Sequence, residues 1–362
     1  MLKQGLIRTL LILNIFVSVM IIVSVISPYI PPSKMWYIVL FGLTFRYFFI
    51  AGIIFIIIWF IINRKYCIFS ILIILPSLFQ IPKFVQFHSS RQPDKSMFKF
   101  MTYNVWNLCR NNSMIASTRI RDSIFQFINN EQPDILCLQE FALPMKEIEN
   151  KSNLLTSFIH LPYFTYSKYS RKGQTIDGLI TYSRFPIIHR DSMLTAENFT
   201  FAQISDVIIK KRILRIINIQ LTSNKLNTND SLYVEKLKLD SSIISSKKRL
   251  LFFKIKNASV SREQLANRIA DYINASPYPV LLAGDFNDTP VSYIYRVACA
   301  GRKDAYCESG LGFGNTYIGE KAPSYRIDYV IMDKIMKSMN FRVHHIALSD
   351  HYPVTVNLGF RD

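Results

Sequence analysis

Three apolar runs within the first 82 residues constrain this chain more than any other feature. Leu10–Ile26 is broken only by Asn14, Ser18 and Ser24; Met35–Ile62 is rich in Phe and Ile; Tyr66–Ile81 is shorter and contains Pro76. An apolar stretch of about 20 residues crosses a bilayer core, so the first two runs are expected to be transmembrane helices. A signal peptide is the alternative for the first, but no small-residue cleavage site follows it, and "SPYIPPSKMW" leads directly into the next run. The third run is either a tight span or an interfacial segment, with a span the favoured expectation. Arg46, inside the second run, costs about 2.5–3.5 kcal/mol near mid-membrane, and is expected to snorkel or to face a neighbouring helix.

Charge gives the orientation. Residues 1–95 hold nine Lys/Arg against one acid, Asp94, leaving residues 96–362 with +10 of the chain's net +18. Lys3 and Arg8 precede the first run and Arg64 and Lys65 separate the second from the third, whereas only Lys34 lies in the other short loop. The positive-inside rule keeps the N-terminus and the loop near residue 64 in the cytoplasm. Three spans then deliver residue 96 onward to the far side, the favoured arrangement; two leave it cytoplasmic. Lys83, Arg91, Lys95 and Lys99 pull against three.

Residues 86–96, "QFHSSRQPDKS", read as a linker between a membrane segment (1–85) and a basic domain (97–362). Strand and helix patterns then alternate. "FKFMTYNVW", "DILCLQE", "DGLITYSRFPII", "YPVLLAGDFN", "YRIDYVIMD" and "YPVTVNL" are strand-like, and "SDVIIKKRILRIINIQL" reads as two strands about a turn at Lys210–Lys211. "STRIRDSIFQFINNEQP", capped near Ser117 and stopped by Pro133, and "SREQLANRIADYINASP" read as helices. Lys225–Lys256 breaks the pattern with eight basic residues against three acids. It is expected to be a solvated helical insertion with one packed face, and less so a surface for anionic lipid or a phosphate polymer. Cys67 and Cys137 sit in apolar segments; Cys299 and Cys307 are either a pair or free thiols.

Polar groups collect at strand ends. In "LLAGDFNDTP" an apolar run stops at Asp285 and Asn287, which period two puts on one face. Asn104 follows "KFMTY", Glu140 ends "DILCLQ", Asp328 lies in "YRIDYV", and Asp350-His351 precede "YPVTVNL". Singly, each is a turn residue or cap, and Asp328 has Arg326 nearby as an ion-pair partner. Together they form a set of hard oxygen donors with an imidazole, suited to Mg²⁺ and a substrate phosphate. Zinc-type ligand spacing, phosphate-cradling glycine loops and the G-x-S-x-G elbow are missing. Metal-assisted attack of water on a phosphate ester is the natural reading.

"MTYNVWN", "ILCLQEF", "GLITYSRFPI", "LLAGDFNDTP", "YRIDYVI" and "LSDHYPV", in this order, resemble the endonuclease/exonuclease/phosphatase superfamily with the deoxyribonuclease-I-like fold. The likeness covers about residues 97–360 apart from Lys225–Lys256, and the leader is similar to that of multi-pass, membrane-anchored bacterial members of the inner membrane. The resemblance implies an α/β (α+β) fold, a four-layer αββα sandwich of two mostly antiparallel sheets. It also implies a phosphodiester substrate, nucleic acid or phospholipid headgroup, beside the bilayer and with no obligate protein partner. The implied cofactor is Mg²⁺, or Mn²⁺ in its place. It implies Glu140 as principal metal ligand, with Asn104 and Asp350 beside it. Asp285 orients or deprotonates water, Asn287 holds phosphate and water, and His351 contacts phosphate with its tautomer fixed by Asp328. Asp285 and His351 are both candidate bases. Gln220 stands where many members carry His; it keeps a phosphate hydrogen bond without a transferable proton, or it reduces activity or alters substrate choice. A phosphate- or anionic-surface-binding module without hydrolysis is the alternative function.

Overall fold

A computed structural model describes residues 2–108, 114–144, 159–172, 175–223, 243–318 and 324–361. Its helices there are α1 (Leu2–Ile26), α2 (Val39–Ile62), α3 (Arg64–Ile74), α4 (Met114–Glu131), α5 (Ile243–Asn274), α6 (Tyr293–Cys299) and α7 (Ala305–Ser309). Two compact units are formed: Met1–Pro82 with Thr222–Ala266 and Asp288–Val297, and Lys83–Leu221 with Asn267–Asn287 and Ala298–Asp362.

In the first unit, Gln4–Tyr29, Trp36–Ile62 and Arg64–Lys83 are each long and apolar enough to cross a membrane. The third gains its length from a change of helix type. After Ile74 the chain continues as 3₁₀ turns over Leu75–Lys83. A 3₁₀ helix rises further per residue than an α-helix, so Arg64–Lys83 extends roughly 34 Å despite its few residues. The polar interruptions have partners: Asn14 Nδ2 donates to Ser70 Oγ at 2.8 Å, joining α1 to α3, and Ser24 Oγ donates to Phe41 O at 3.0 Å. Arg46 donates to the Tyr47 hydroxyl at 2.9 Å. At Gly52 an added Cβ would lie 2.8 Å from Ile21 Cδ1 and 3.2 Å from Ile74 Cδ1, so its missing side chain lets three helices meet.

The second unit contains fourteen strands among the described residues. They are β1 (Val85–Phe87), β2 (Phe98–Asn104), β3 (Ile135–Pro144), β4 (Tyr163–Lys172), β5 (Thr175–Ser183), β6 (Ile187–Leu194) and β7 (Thr200–Ile209). Then come β8 (Arg212–Gln220), β9 (Val280–Asp285), β10 (Lys303–Asp304), β11 (Leu311–Phe313), β12 (Asp328–Met332), β13 (Met336–Val343) and β14 (Val354–Phe360). Two six-stranded sheets run β10-β12-β9-β8-β7-β6 and β13-β14-β2-β3-β5-β4, and β1 pairs with β11 in a small ribbon. β2–β3 and β8–β9 are parallel; the other pairs in these sheets are antiparallel. The expected turn at Lys210–Lys211 joins β7 to β8, both residues having positive φ (48° and 71°), the backbone of a two-residue hairpin.

One core lies between the sheets. Phe98, Phe100, Ile135 and Cys137 from one pack with Ile216, Leu281, Ala283 and Val330 from the other. Period two sends the alternate residues outward, where Met101, Tyr103, Leu136 and Leu138 bury the apolar stripe of α4, Ile124, Phe125 and Ile128. This is the expected sandwich. Some sequence expectations differ in detail. The first residues of the polar linker form β1. α4 begins at Met114, ahead of Ser117. α5 begins at Ile243 and absorbs the end of the basic stretch, whose residues 225–242 lie outside the described part. Cys299 and Cys307 are not joined in a disulfide.

Candidate active site

Each inward-facing row changes character along its strand. Phe98, Phe100, Thr102 and Asn104 form one row, and Ile135, Cys137 and Gln139 the next. Leu214, Ile216, Asn218 and Gln220 line β8, Leu281, Ala283 and Asp285 line β9, and Met332, Val330 and Asp328 line β12. The apolar members fill the core and the polar members gather at one edge. A hydrogen-bonded layer closes the core beneath them: Gln139 Nε2 donates to Asn218 Oδ1 at 2.7 Å and to Thr102 Oγ1 at 3.0 Å.

All eight residues singled out in the sequence meet there. Asn104 Nδ2 donates to Asp285 Oδ2 (3.0 Å), Glu140 Oε1 (3.2 Å) and Gln220 Oε1 (3.3 Å). Gln220 Nε2 donates to the same Asp285 and Glu140 oxygens at 3.0 and 3.2 Å. Asn287 Nδ2 reaches Asp285 Oδ2 (3.0 Å) and Leu221 O (2.9 Å). His351 places Nδ1 2.9 Å from Asp328 Oδ2, and Nε2 3.8 Å from Asp285 Oδ2 and 3.9 Å from Asp350 Oδ1. Most of the cluster is buried, with Glu140 and Asn287 half-buried.

Two of these positions depend on left-handed backbone. Strict alternation would send Glu140 to the α4 side with Leu136 and Leu138. The β3–β5 register breaks between Leu138 and Phe141, and Glu140 has φ 49°, which carries its carboxylate to Asn104 and Gln220. Asn287, with φ 52°, has already left β9, and its backbone N–H donates to Asp285 Oδ1 at 2.8 Å. It shares a side with Asp285 because of this turn, whereas period two had suggested a continuing strand. Non-glycine residues in this region cost on the order of 1 kcal/mol, a strain that concentrates at functional sites. Arg326, the alternative partner for Asp328, forms an ion pair with Asp304 and donates to Lys83 O at 2.7 Å. That leaves Asp328 to the imidazole.

The electrostatics follow from burial and crowded acids. Burial first, then the Asp328 and Glu140 carboxylates, raise the Asp285 carboxyl to about 7 against the opposing pull of His351 and the Asn287 N–H. For His351 burial acts downward, but the carboxylates of Asp328, Asp285 and Asp350 outweigh it and lift the imidazole to about 10.

Three supporting residues carried no signal in the strand pattern. Thr316 Oγ1 accepts the N–H groups of Ile327 and Asp328 at 3.2 and 3.1 Å, fixing the start of β12. Ser349 Oγ donates to Asn104 O at 2.8 Å, tying "SDH" to the end of β2. The Tyr317 ring stands edge-on to His351, centroids 5.1 Å apart. The short motif around Ser349 was a usable clue; Thr316 and Tyr317 lie in a bridge-forming loop whose pairing has no periodicity to read.

The donor set suits a hard divalent cation. Three carboxylates (Asp285, Asp328 and Asp350) face one imidazole, Glu140 joins them through Asn104 and Gln220, and Asp328 Oδ1 is buried with no hydrogen-bond partner among the described residues. Ligand atoms of Asp285, Asp328 and His351 lie within 4.8 Å of one another. The short Asp328–His351 bond, however, makes those two a carboxylate–imidazole pair, and the outlying carboxylates of Glu140 and Asp350 are the better holders. Asn104 Oδ1 accepts the Trp106 N–H at 3.0 Å, so its carboxamide would have to turn to offer oxygen to an ion.

Comparison with known proteins agrees with this geometry. Residues 101–351 match the model of the Endonuclease/Exonuclease/phosphatase family, and residues 7–84 match a domain of unknown function (DUF8431). No curated protein matches the chain. Among solved structures, an endonuclease/exonuclease/phosphatase from Beutenbergia cavernae aligns with TM-score 0.51 and 16% identity, covering 74% of this chain and 72% of its own. One from Bacteroides vulgatus aligns with TM-score 0.50 and 16% identity over 74% of this chain and 100% of its own. Those likenesses establish the fold. With the family match over residues 101–351, they lead to one conclusion: this chain belongs to the endonuclease/exonuclease/phosphatase family.

Proposed function

We propose that the chain is a membrane-anchored, Mg²⁺-dependent phosphodiesterase that cleaves a phosphodiester of nucleic acid or of a lipid headgroup by attack of water. The observation that carries this reading is the joining of Asn104, Glu140, Gln220, Asp285, Asn287, Asp328, Asp350 and His351 into one cluster of hydrogen bonds and close charge contacts at the polar end of the core. Glu140 and Asp350 would hold the cation, with Asn104 beside them. When bound, a divalent cation polarises a phosphoryl oxygen and draws down the proton affinity of the neighbouring imidazole and carboxyl.

The residues divide the remaining work. Asp328 accepts the Nδ1 proton of His351, leaving Nε2–H to donate to a phosphate oxygen; the acidic surroundings that keep the ring protonated support this role over that of base. Asp285, a carboxylate with raised proton affinity, is the better acceptor of the water proton. Asn287 is held against Asp285 and Leu221 O and positions water and phosphate. Gln220 donates to both Glu140 and Asp285, which gives it a positioning role in a hydrolase and weakens the case for a pure binding module.

For location, we infer a multi-pass protein of the bacterial inner membrane with the catalytic domain extracytoplasmic. Three helices of crossing length support this, with Lys3, Arg8, Arg64 and Lys65 on the opposite side. So does the contact of Ser33, in the loop between the first two spans, with Glu263, which needs both in one compartment.

The substrate reading is tested with the full chain in lipid nanodiscs, offered single- and double-stranded DNA, RNA and phospholipid vesicles with Mg²⁺. Cleavage of one class, lost in Glu140→Gln, is the expected result. Cleavage of none of these, with wild type and variant alike, would reject hydrolysis in favour of binding.

A further inference from the structure

The two chain segments that leave catalytic strands β8 and β9 do not end in solvent. Thr222 follows Gln220 by two residues, and Asp288 follows Asn287 directly. Both enter the first unit, where Arg262, buried on α5, joins them. Its Nη1 donates to Thr222 O at 2.8 Å, and its Nε lies 3.4 Å from Asp288 Oδ2. Thr222 and Ser261 also share a hydroxyl contact at 2.8 Å.

The loop between the first two spans closes on the same elements. Glu263, the next residue on α5, accepts the Ser33 N–H at 2.6 Å and the Ser33 hydroxyl at 2.8 Å, and is buried. Arg296 Nε, on α6, donates to Pro28 O at 2.7 Å, with its guanidinium stacked on the rings of Tyr29 and Tyr293. At the start of α2, Gly42 presses on the segment after Asp288. An added Cβ there would stand 2.1 Å from Val291 O, and Thr289 Oγ1 donates to Gly42 O at 3.4 Å. Trp36 meets Phe252 edge-on at 6.2 Å. Hydrogen bonds to a buried carboxylate and a guanidinium clamped between two rings are specific, partly desolvated contacts. A tether needing only to hold a domain near a bilayer requires none of them.

We propose that the membrane segment orders the chain that leaves the catalytic strands: the Ser27–Gly42 loop braces Asp288–Val297 and, through α5, Thr222, so that Gly42, Arg262, Glu263 and Arg296 act along the chain as positioning residues for Asn287 and Gln220. The proposal rests on the hydrolase reading for its kinetic consequence but not for its structural one. It makes residues 1–82 more than an anchor, and a fragment beginning near Gln92 lacks the surface on which Asp288–Val297 is built.

The test uses the full chain in nanodiscs, with amide hydrogen exchange and turnover measured side by side. Gly42→Val places a side chain against the Val291 carbonyl; Glu263→Ala removes the acceptor for Ser33, and Glu263→Gln restores it. In Gly42→Val and Glu263→Ala, exchange over residues 288–297 is expected to rise at least tenfold. In the same two variants kcat is expected to fall about tenfold with KM within threefold, and Glu263→Gln is expected to behave as wild type. If Gly42→Val disrupts the helix bundle, seen as faster exchange throughout α1–α3, the Glu263 pair decides alone. Unchanged exchange at 288–297 in Glu263→Ala would overturn the proposal, and so would faster exchange with undiminished turnover. Should the wild type cleave nothing, the hydrolase reading fails, and exchange alone judges whether the hairpin orders the segment.

Discussion

The cluster at the polar edge assigns distinct jobs to chemically similar side chains. Asp285 and Asp328 are both buried carboxylates, yet one is surrounded by amide donors and the other faces an imidazole at 2.9 Å. Glu140→Gln keeps the shape and removes the charge; His351→Ala removes the proposed donor to phosphate. Each is expected to lower turnover at least a hundredfold, the size of a lost acid–base or charge-stabilising group, in a steady-state assay that separates kcat from KM. Near-wild-type rates in both would refute these roles. Gln220→Glu is a subtler test. It replaces the donor to Glu140 and Asp285 with a further negative charge, which raises the proton affinity of Asp285. The acidic limb of the pH–rate profile is expected to move to higher pH, with turnover down at least tenfold at pH 7; an unmoved limb would show that Gln220 and Asp285 are uncoupled.

Strands were more legible than the turns between them, and the reason is physical. An inward row that runs apolar and then polar is visible in sequence because period two is fixed by the pleat, so Asn104, Asp285 and Asp328 stand out in their strands, while Gln220 stood out only through the family resemblance. Glu140 could be named but its route could not, since a register break and a positive φ leave no periodic trace. Thr316 and Tyr317 act from a loop, whereas the helical end of the basic stretch was expected but not its continuity with the following helix in α5. Away from the site, β13 and α4 supply a further test. His344, between Thr355 Oγ1 at 2.8 Å and the Glu131 carboxylate at 3.6 Å, has its pKa lowered to about 4, first by burial and then by Arg342 and Lys99, against Glu131. The unfolded chain therefore binds more protons between about pH 6.5 and 4, and stability is lost as pH falls through that window. The melting temperature of the detergent-solubilised chain is expected to drop across it. His344→Gln should flatten that drop, and an equal drop in the variant would remove His344 as its cause.

At the level of the molecule, a family domain over residues 101–351 is combined with three helices of membrane-crossing length. The third apolar run had left the orientation open. Its 3₁₀ extension and the Asn14–Ser70 bond, which packs it beside the first helix, accord with the three spans on which the proposed extracytoplasmic placement rests. A reporter active only outside the cytoplasm, fused at the C-terminus, should be active; activity only of a cytoplasmic reporter would reverse the orientation. Chemistry is decided by a single comparison: hydrolysis of a simple aryl phosphodiester by the full chain in nanodiscs, before and after EDTA, then with Mg²⁺ restored. Turnover that vanishes on chelation and returns with Mg²⁺ is the expected result, whereas turnover indifferent to EDTA would contradict a cation held by Glu140 and Asp350 against the phosphoryl group.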